Sequence, residues 1–148
     1  TIAISAVNDR PSFAIGPDVT VETDDPAQSI TGWAQDIFAG ADNESDQVLT
    51  FYVATSDDSL FATDGTPQIS PTGTLTFTPE GTNTGTATVT VTLKDDGSNE
   101  APNINTTVAA TFTITIDSAN NPPTFTKGGD ETVEEDSPAR TVENWASG

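Results

Sequence analysis

The stretch that decides the fold is Phe112-Thr113-Ile114-Thr115-Ile116-Asp117-Ser118-Ala119-Asn120-Asn121-Pro122-Pro123-Thr124-Phe125. Its first five residues alternate apolar and Thr side chains, which predicts a half-buried β-strand. An acid and two amides follow, and then a proline pair that the interior of a helix does not tolerate. A similar series opens the chain, Thr1-Ile2-Ala3-Ile4-Ser5-Ala6-Val7-Asn8-Asp9-Arg10-Pro11-Ser12-Phe13. The chain therefore carries this strand and its link twice.

The two copies define a sequence period, which we call the repeat step. Phe13 recurs one repeat step later as Phe125, and the match continues without a gap to Gly148. Over the whole overlap of the chain with its shifted copy, 16 positions are identical, and Trp33 recurs as Trp145. Self-similarity at a fixed step is the signature of a repeat architecture, and a step of this length is that of a whole domain. The sequence predicts a tandem-repeat protein.

The period divides the chain into three parts. Residues 1–9 are expected to be the last strand of a preceding repeat and its link, and residues 10–117 one complete repeat. Residues 118–148 are expected to be the next link and the truncated start of a further repeat, without a complete core. The absence of methionine from the chain agrees with an internal piece of a longer protein.

Within the complete repeat, short alternating segments predict an all-β fold. The first strand is expected to be split at Gly16-Pro17, and Ile30 and Trp33 are expected to point inward from the second. A short helical turn is expected over 34–38. The predicted strands are 12–15 with 18–22, 28–33, 48–54, 69–70, 74–78, 86–93 and 108–116. About seven short strands with turn residues between them predict an immunoglobulin/cadherin-like β-sandwich.

Composition restricts the possible partners. The chain has 23 acidic and 4 basic residues and no histidine, for a formal net charge of −19. Nucleic acid binding requires clustered lysine and arginine, and an anionic membrane surface would repel the chain, so neither is an expected partner. No apolar run is long enough to insert into a membrane. Cations suit such a surface, although the acids could equally serve solubility.

The chemistry of enzymes is poorly represented. Without cysteine or histidine, thiolate metal sites and the usual nucleophile–base pairs are missing. We therefore expect a non-enzymatic protein.

Acidic loops at one end of the predicted sandwich suggest a calcium site. Calcium prefers oxygen ligands, and side chains two residues apart in a loop can surround one ion, as Asp42, Glu44 and Asp46 would. In an immunoglobulin-like sandwich this loop and the loop that carries Asp95 lie at the same end as the link. The predicted ligands of this site are Asn8, Asp9, Asp42, Glu44, Asp46 and Asp95.

A second group of candidate ligands is expected at the opposite end. Glu22 ends a strand that runs toward that end, where Asp117 and Asn120 of the next link would lie. Each joint could then collect ligands from two repeats. The alternative is that Asp, Asn and Gly serve here as ordinary turn formers.

Several phrases, in this order, resemble a known family. Val91-Thr92-Leu93-Lys94-Asp95-Asp96-Gly97, a strand, and then Asp117-Ser118-Ala119-Asn120-Asn121-Pro122-Pro123 resemble the end of a cadherin repeat. Glu135-Asp136-Ser137-Pro138, the acidic loop before Leu49-Thr50, and Gly73-Thr74-Leu75-Thr76-Phe77-Thr78-Pro79 are similar to bacterial cadherin-like and immunoglobulin-like repeats. Those repeats are strung together in large secreted or surface adhesins of the RTX type.

The resemblance implies a calcium-stiffened extender module on the cell surface, with neighbouring repeats as its partners. It carries ligand roles over to Asn8, Asp9, Glu22, Asp42, Glu44 and Asp95. The sequence departs from the family because no Leu-Asp-Arg-Glu motif follows Phe77 and because Asn121 replaces an aspartate. A carbohydrate- or receptor-binding module that uses Trp33 and Tyr52, and homophilic adhesion, remain open alternatives.

Overall fold

The computed structural model describes residues 6–148, and the strand expected over residues 1–5 lies outside that range. Residues 6–148 contain strands and two short 3₁₀ turns, Asp42–Glu44 and Asp58–Leu60, but no α-helix, which confirms the all-β prediction. The strands are β1 Ser12–Ala14, β2 Val19–Glu22, β3 Gln28–Ile30, β4 Gln35–Phe38, β5 Thr50–Thr55, β6 Gln68–Ile69, β7 Leu75–Phe77, β8 Gly85–Lys94, β9 Ala110–Asp117, β10 Thr126–Lys127 and β11 Ala146–Ser147.

Two larger sheets form the body of the fold. One has the strand order β2-β9-β8-β5 and the other the order β3-β7-β6, while β1 pairs with β4. Neighbouring strands are antiparallel except β2 and β9, which run parallel with Val19 opposite Ile114 and Glu22 opposite Asp117. Because β2 and β9 end side by side, Asp117 lies at the end opposite to the one where β8 finishes and β9 begins. We call these the far end and the entry end.

One hydrophobic core joins the two sheets. Along β8, Ala87, Val89, Val91 and Leu93 are fully buried, and the threonines between them face outward. They pack with the inward residues of β9 and β7, which are Phe112, Ile114, Ile116, Leu75 and Phe77. This arrangement is compatible with a β-sandwich.

Trp33 lies in this core, as its sequence context predicts. It is 3% exposed, and its ring packs on Phe112 with 4.3 Å between the ring centroids. Its indole Nε1 donates a hydrogen bond to the carbonyl of Pro17 at 3.0 Å, so its polar atom is satisfied. Tyr52, in contrast, is exposed on the outer face of β5.

The helical turn expected over residues 34–38 is wrong. Residues Gln35–Phe38 form β4, which pairs with β1 through Ser12 opposite Phe38 and Ala14 opposite Gln35. The break at Gly16-Pro17 separates β1 from β2, so the backbone groups of β1 need another partner, and β4 supplies it. The second strand is also shorter than predicted, because Gly32 turns the chain at φ +68°. With the split first strand and β4, residues 12–117 contain nine strands rather than about seven.

Residues 124–148 form a small separate sheet. β10 pairs with β11 through Thr126 opposite Ser147 and Lys127 opposite Ala146. Every residue from Asn120 to Gly148 is exposed except Gly128, which is half-buried. The segment therefore buries no core of its own.

Substitution of Leu75 tests whether the two sheets share one core, because this side chain is fully buried between them. We expect Leu75→Ala to lower the free energy of unfolding by about 2–5 kcal/mol through lost burial and the cavity left behind. Thr76→Ala, on the exposed neighbour, should change it by no more than about 0.5 kcal/mol. Chemical denaturation monitored by circular dichroism measures both. Equal effects of the two substitutions would contradict a common core.

Candidate cation site at the entry end

Asn8, in the link, is the centre of a polar cluster at the entry end. Its backbone N–H donates to Asn103 Oδ1 at 2.6 Å, and its carbonyl accepts from the Ile104 N–H at 3.1 Å. Its side-chain Nδ2 donates to Asp95 Oδ1 at 3.1 Å and to the Ile104 carbonyl at 3.1 Å. Its Oδ1 accepts from Gln47 Nε2 at 2.6 Å. These bonds fasten the link to two loops that are distant from it in sequence.

Glu44 fastens the next residue of the link. The 3₁₀ turn Asp42–Glu44 directs this side chain inward, where it is buried. Its carboxylate oxygens lie 3.0 and 3.2 Å from the Asp9 N–H, which donates to them, and Oε2 also accepts from the Ala41 N–H at 3.3 Å. We refer to Asn8, Asp9, Glu44, Gln47 and Asp95 as the junction cluster.

Asp95 is the one member of the junction cluster with an open carboxylate oxygen in a buried position. It follows β8 directly and is 2% exposed. Its Oδ1 accepts from Asn8 Nδ2 and, at 2.8 Å, from the Gly97 N–H, but Oδ2 has no hydrogen-bond partner among residues 6–148. The Oε1 atom of Gln47 is likewise buried and without a partner in that range. Both open atoms are acceptors, and a buried acceptor is costly unless a donor or a cation meets it.

Not all of the predicted ligands converge on the cluster. The structure brings Asn8, Glu44, Asp95 and the backbone N–H of Asp9 together, while the Asp9 side chain is exposed. Asp42 and Asp46 are also exposed, because the 3₁₀ turn directs only Glu44 inward and Asp46 lies beyond it. Within residues 6–148, no three Asp, Glu, His or Cys side chains form a group that could hold a metal ion. Any cation here would therefore depend on amide oxygens as well as on carboxylates.

The amide partners of Asn8 were not predicted from the sequence. Gln47 and Asn103 lie in polar loops and have no periodic signal, since their role depends on which loops meet. Gly97 could have been singled out from the sequence, because it follows two acids at the end of a predicted strand. A Cβ at Gly97 would collide with Asn8 Oδ1, so only glycine allows the link to approach this closely.

At the far end, the predicted residues are neighbours but remain exposed. Glu22 stands opposite Asp117 in the parallel ladder, and Asn120 follows on the link. The Thr23 N–H donates to the Asp117 carbonyl at 2.9 Å, and the Ala119 N–H donates to Thr23 Oγ1 at 3.1 Å. The backbone is thus tied together, while the carboxylates face solvent.

Other acidic loops use their carboxylates to close their own turns. Asp57 accepts from the Ser59 N–H and hydroxyl at 3.0 and 2.6 Å, and Asp25 accepts from the Glu22 N–H at 2.9 Å. The hydrogen bonds that the Thr82 hydroxyl and N–H donate hold the pKa of Glu80 below its ordinary value. For these loops the turn-forming interpretation is sufficient.

Comparisons of this chain with family models, with curated proteins and with solved structures gave no match. No helix among residues 6–148 has the length and apolar character needed to cross a membrane. Function is therefore inferred from the residues and their geometry.

Asn8 and Asn120 form a matched pair for testing the cluster, since they occupy equivalent positions of the two links, one repeat step apart. We expect Asn8→Ala to lower the free energy of unfolding by about 1–3 kcal/mol, because it leaves buried partners such as Asp95 unsatisfied. Asn120→Ala should have no measurable effect, since Asn120 is exposed. Thermal denaturation of both variants measures the difference. Equal stability of the two variants would contradict a structural role for Asn8.

Proposed function

We propose that this chain is a calcium-binding structural extender of a large bacterial cell-surface adhesin. It would be one β-sandwich link in a tandem array that supports cell adhesion by stiffening a rod. The observation that carries the proposal is the burial of Asn8 between two loops, beside a buried Asp95 carboxylate with one open oxygen.

The atoms of the junction cluster that could bind a metal suit calcium. They are oxygens of carboxylates, side-chain amides and backbone carbonyls, which is the ligand set of a hard cation, and the chain has no histidine or cysteine. Asp95 and Gln47 would hold the ion through their open oxygens, with Asn8, Asp9 and Glu44 around it. A bound calcium ion would supply positive charge to acids that otherwise repel one another.

The joint between repeats becomes stiffer if the ion binds the docked link better than an undocked link. The link reaches the cluster through Asn8 and Asp9, so a ligand of the cluster is also a ligand of the docked link. Mass action then shifts the equilibrium toward the docked state. The repeated sequence places an equivalent Asn120 in the next link, so the same device would serve each joint of the array.

The alternative of a carbohydrate- or receptor-binding module has less support. A sugar-stacking platform needs exposed aromatic rings, and Trp33 is buried in the core. Tyr52 remains exposed, but it stands without Trp33 on that surface. The extender proposal, with an extracellular location and no enzymatic activity, accounts for the acidic composition and the repeat together.

Calcium should raise the melting temperature of the chain. Stabilisation should approach about 2.7 kcal/mol when free calcium exceeds its dissociation constant about a hundredfold. Asp95→Asn should remove most of this gain, whereas Asp24→Asn, on an acid in the turn after β2 and away from the cluster, should keep it. Differential scanning calorimetry in chelator, calcium and magnesium makes the comparison. An unchanged melting temperature of the parent chain in calcium would refute the calcium proposal.

Amide hydrogen exchange measures directly whether the entry-end link is docked. The amides of Asn8 and Asp9 donate to Asn103 and Glu44, so they should already be slowed in chelator and slowed further by calcium. The amides of Asn120 and Asn121, in the exposed second link, should exchange rapidly in both conditions. Equal exchange in the two links would show that the entry-end link is not docked.

A further inference from the structure

Residues 124–148 carry an exposed apolar face whose counterparts in the first unit are covered. Its members, which we call the uncovered face, are Phe125, Val133, Val142 and Trp145. Each stands one repeat step after a residue that packs in the core, namely Phe13, Val21, Ile30 and Trp33. Val21 is 8% exposed but Val133 is 61% exposed, and Trp33 is 3% exposed but Trp145 is 41% exposed.

The segment keeps part of the local structure of its counterpart even though it is uncovered. The pairing of Thr126 with Ser147 repeats the pairing of Ala14 with Gln35, with both positions shifted by one repeat step. Trp145 Nε1 donates to the Gly129 carbonyl at 3.1 Å, as Trp33 Nε1 donates to the Pro17 carbonyl at 3.0 Å.

Two backbone features repeat at the same step. The Ser137 N–H donates to the Glu134 carbonyl at 3.1 Å, as the Asp25 N–H donates to the Glu22 carbonyl at 3.1 Å. Asn144 has φ +55° where Gly32 has φ +68°. The segment therefore shares these local features with residues 12–36, but residues 131–134 and 140–142, the counterparts of β2 and β3, form no strand. What the segment lacks is the partner strands and the covering surface of its counterpart.

The first unit shows what that covering surface must be. Trp33 packs on Phe112 of β9, and Phe13 meets Phe51 of β5 edge to face at 5.1 Å between centroids. Val21 stands opposite Ile116 in the parallel ladder. For Phe13, Val21 and Trp33 the cover is thus one sheet that contributes a parallel strand and two aromatic rings. Ile30 instead stands opposite Leu75 of β7 in the other sheet.

We propose that the uncovered face docks on a second sheet of the same kind as β5, β8 and β9, which would complete a second sandwich. The partner strand would run parallel to residues 131–134, and an aromatic side chain at the position equivalent to Phe112 would cover Trp145. Glu131 replaces the half-buried Val19 and pairs with Arg140 at 3.1 Å, so this position would lie at the sheet margin. The inference rests on the tandem-array part of the proposed function and not on calcium.

The test extends the whole chain by appending a copy of residues 37–117 after Gly148, which is the position equivalent to residue 36. The signal of Trp145 is obtained by subtracting the fluorescence of the matching Trp145→Phe variant. In the parent chain we expect strong acrylamide quenching of Trp145. In the extended chain its quenching should fall to the level of Trp33 and its emission should shift to the blue.

Neighbouring substitutions on opposite faces provide the control. In the extended chain, Val133→Asp should restore quenching of Trp145, whereas Thr132→Asp, on the outward side, should not. In a second extended chain, residues 12–36 replace residues 124–148. This control tests whether the appended strands fold when they follow the segment that already packs in the first unit. Folding of that chain, together with a Trp145 that stays quenchable in the first, would overturn the proposal.

Self-association is the competing explanation for the uncovered face. Light scattering of the parent chain should show a monomer. If it showed a dimer in which Trp145 is shielded, and Val133→Asp dispersed that dimer, the occupant would be a second copy and the proposal would be wrong. All measurements are made in chelator and in calcium. If the extended chain shields Trp145 but its stability does not change with calcium, only the calcium proposal is refuted and the docking proposal stands.

Discussion

The parallel pairing of β2 with β9 is the constraint on which the rest of the structure depends. Of the four strands in this sheet, β2 (Val19–Glu22) comes first along the chain and β9 (Ala110–Asp117) comes last, and the two are neighbours in the sheet. Two parallel strands finish at the same end, so the chain enters the fold at one end and leaves it at the other. An antiparallel pairing would have returned the second link to the entry end, beside Asn8. The separation of the two links along the fold is what makes an array of such units geometrically simple.

The entry end illustrates how a protein with a net charge of −19 can still bury carboxylates. Backbone N–H groups stabilise Glu44, and the Asn8 amide and the Gly97 N–H stabilise Asp95. Neither has a lysine or arginine partner among residues 6–148. Hydrogen bonds to charged acceptors are the stronger kind, but they leave one oxygen of Asp95 unmet. The link is thus held by amides, beside a buried carboxylate oxygen that has no partner among residues 6–148.

The two copies of the repeated segment separate local from tertiary effects. Both form the short paired strands, the Trp-to-carbonyl hydrogen bond and the left-handed turn residue, so these features come from short-range sequence. Only the first copy is covered, because only there do Phe112 and Ile116 lie across from Trp33 and Val21. An apolar face without its sheet retains some local hydrogen bonds but loses its burial, and burial supplies most of the stabilisation.

The sequence alone determined most of the strand segments and the inward orientation of Trp33, because alternation acts over a few positions. The meeting of Asn8, Glu44 and Asp95 could be expected only through the predicted sandwich topology. Tertiary structure decided the remainder. Residues 35–38 became a strand because β1, cut off at Gly16-Pro17, required a partner. Asp42 stayed outside because the 3₁₀ turn directs only Glu44 inward, and Asp46 lies in the exposed loop beyond that turn. Gln47 and Asn103 joined because two distant loops meet at Asn8. Contacts between loops far apart in sequence leave no periodic trace, so only the folded chain reveals them.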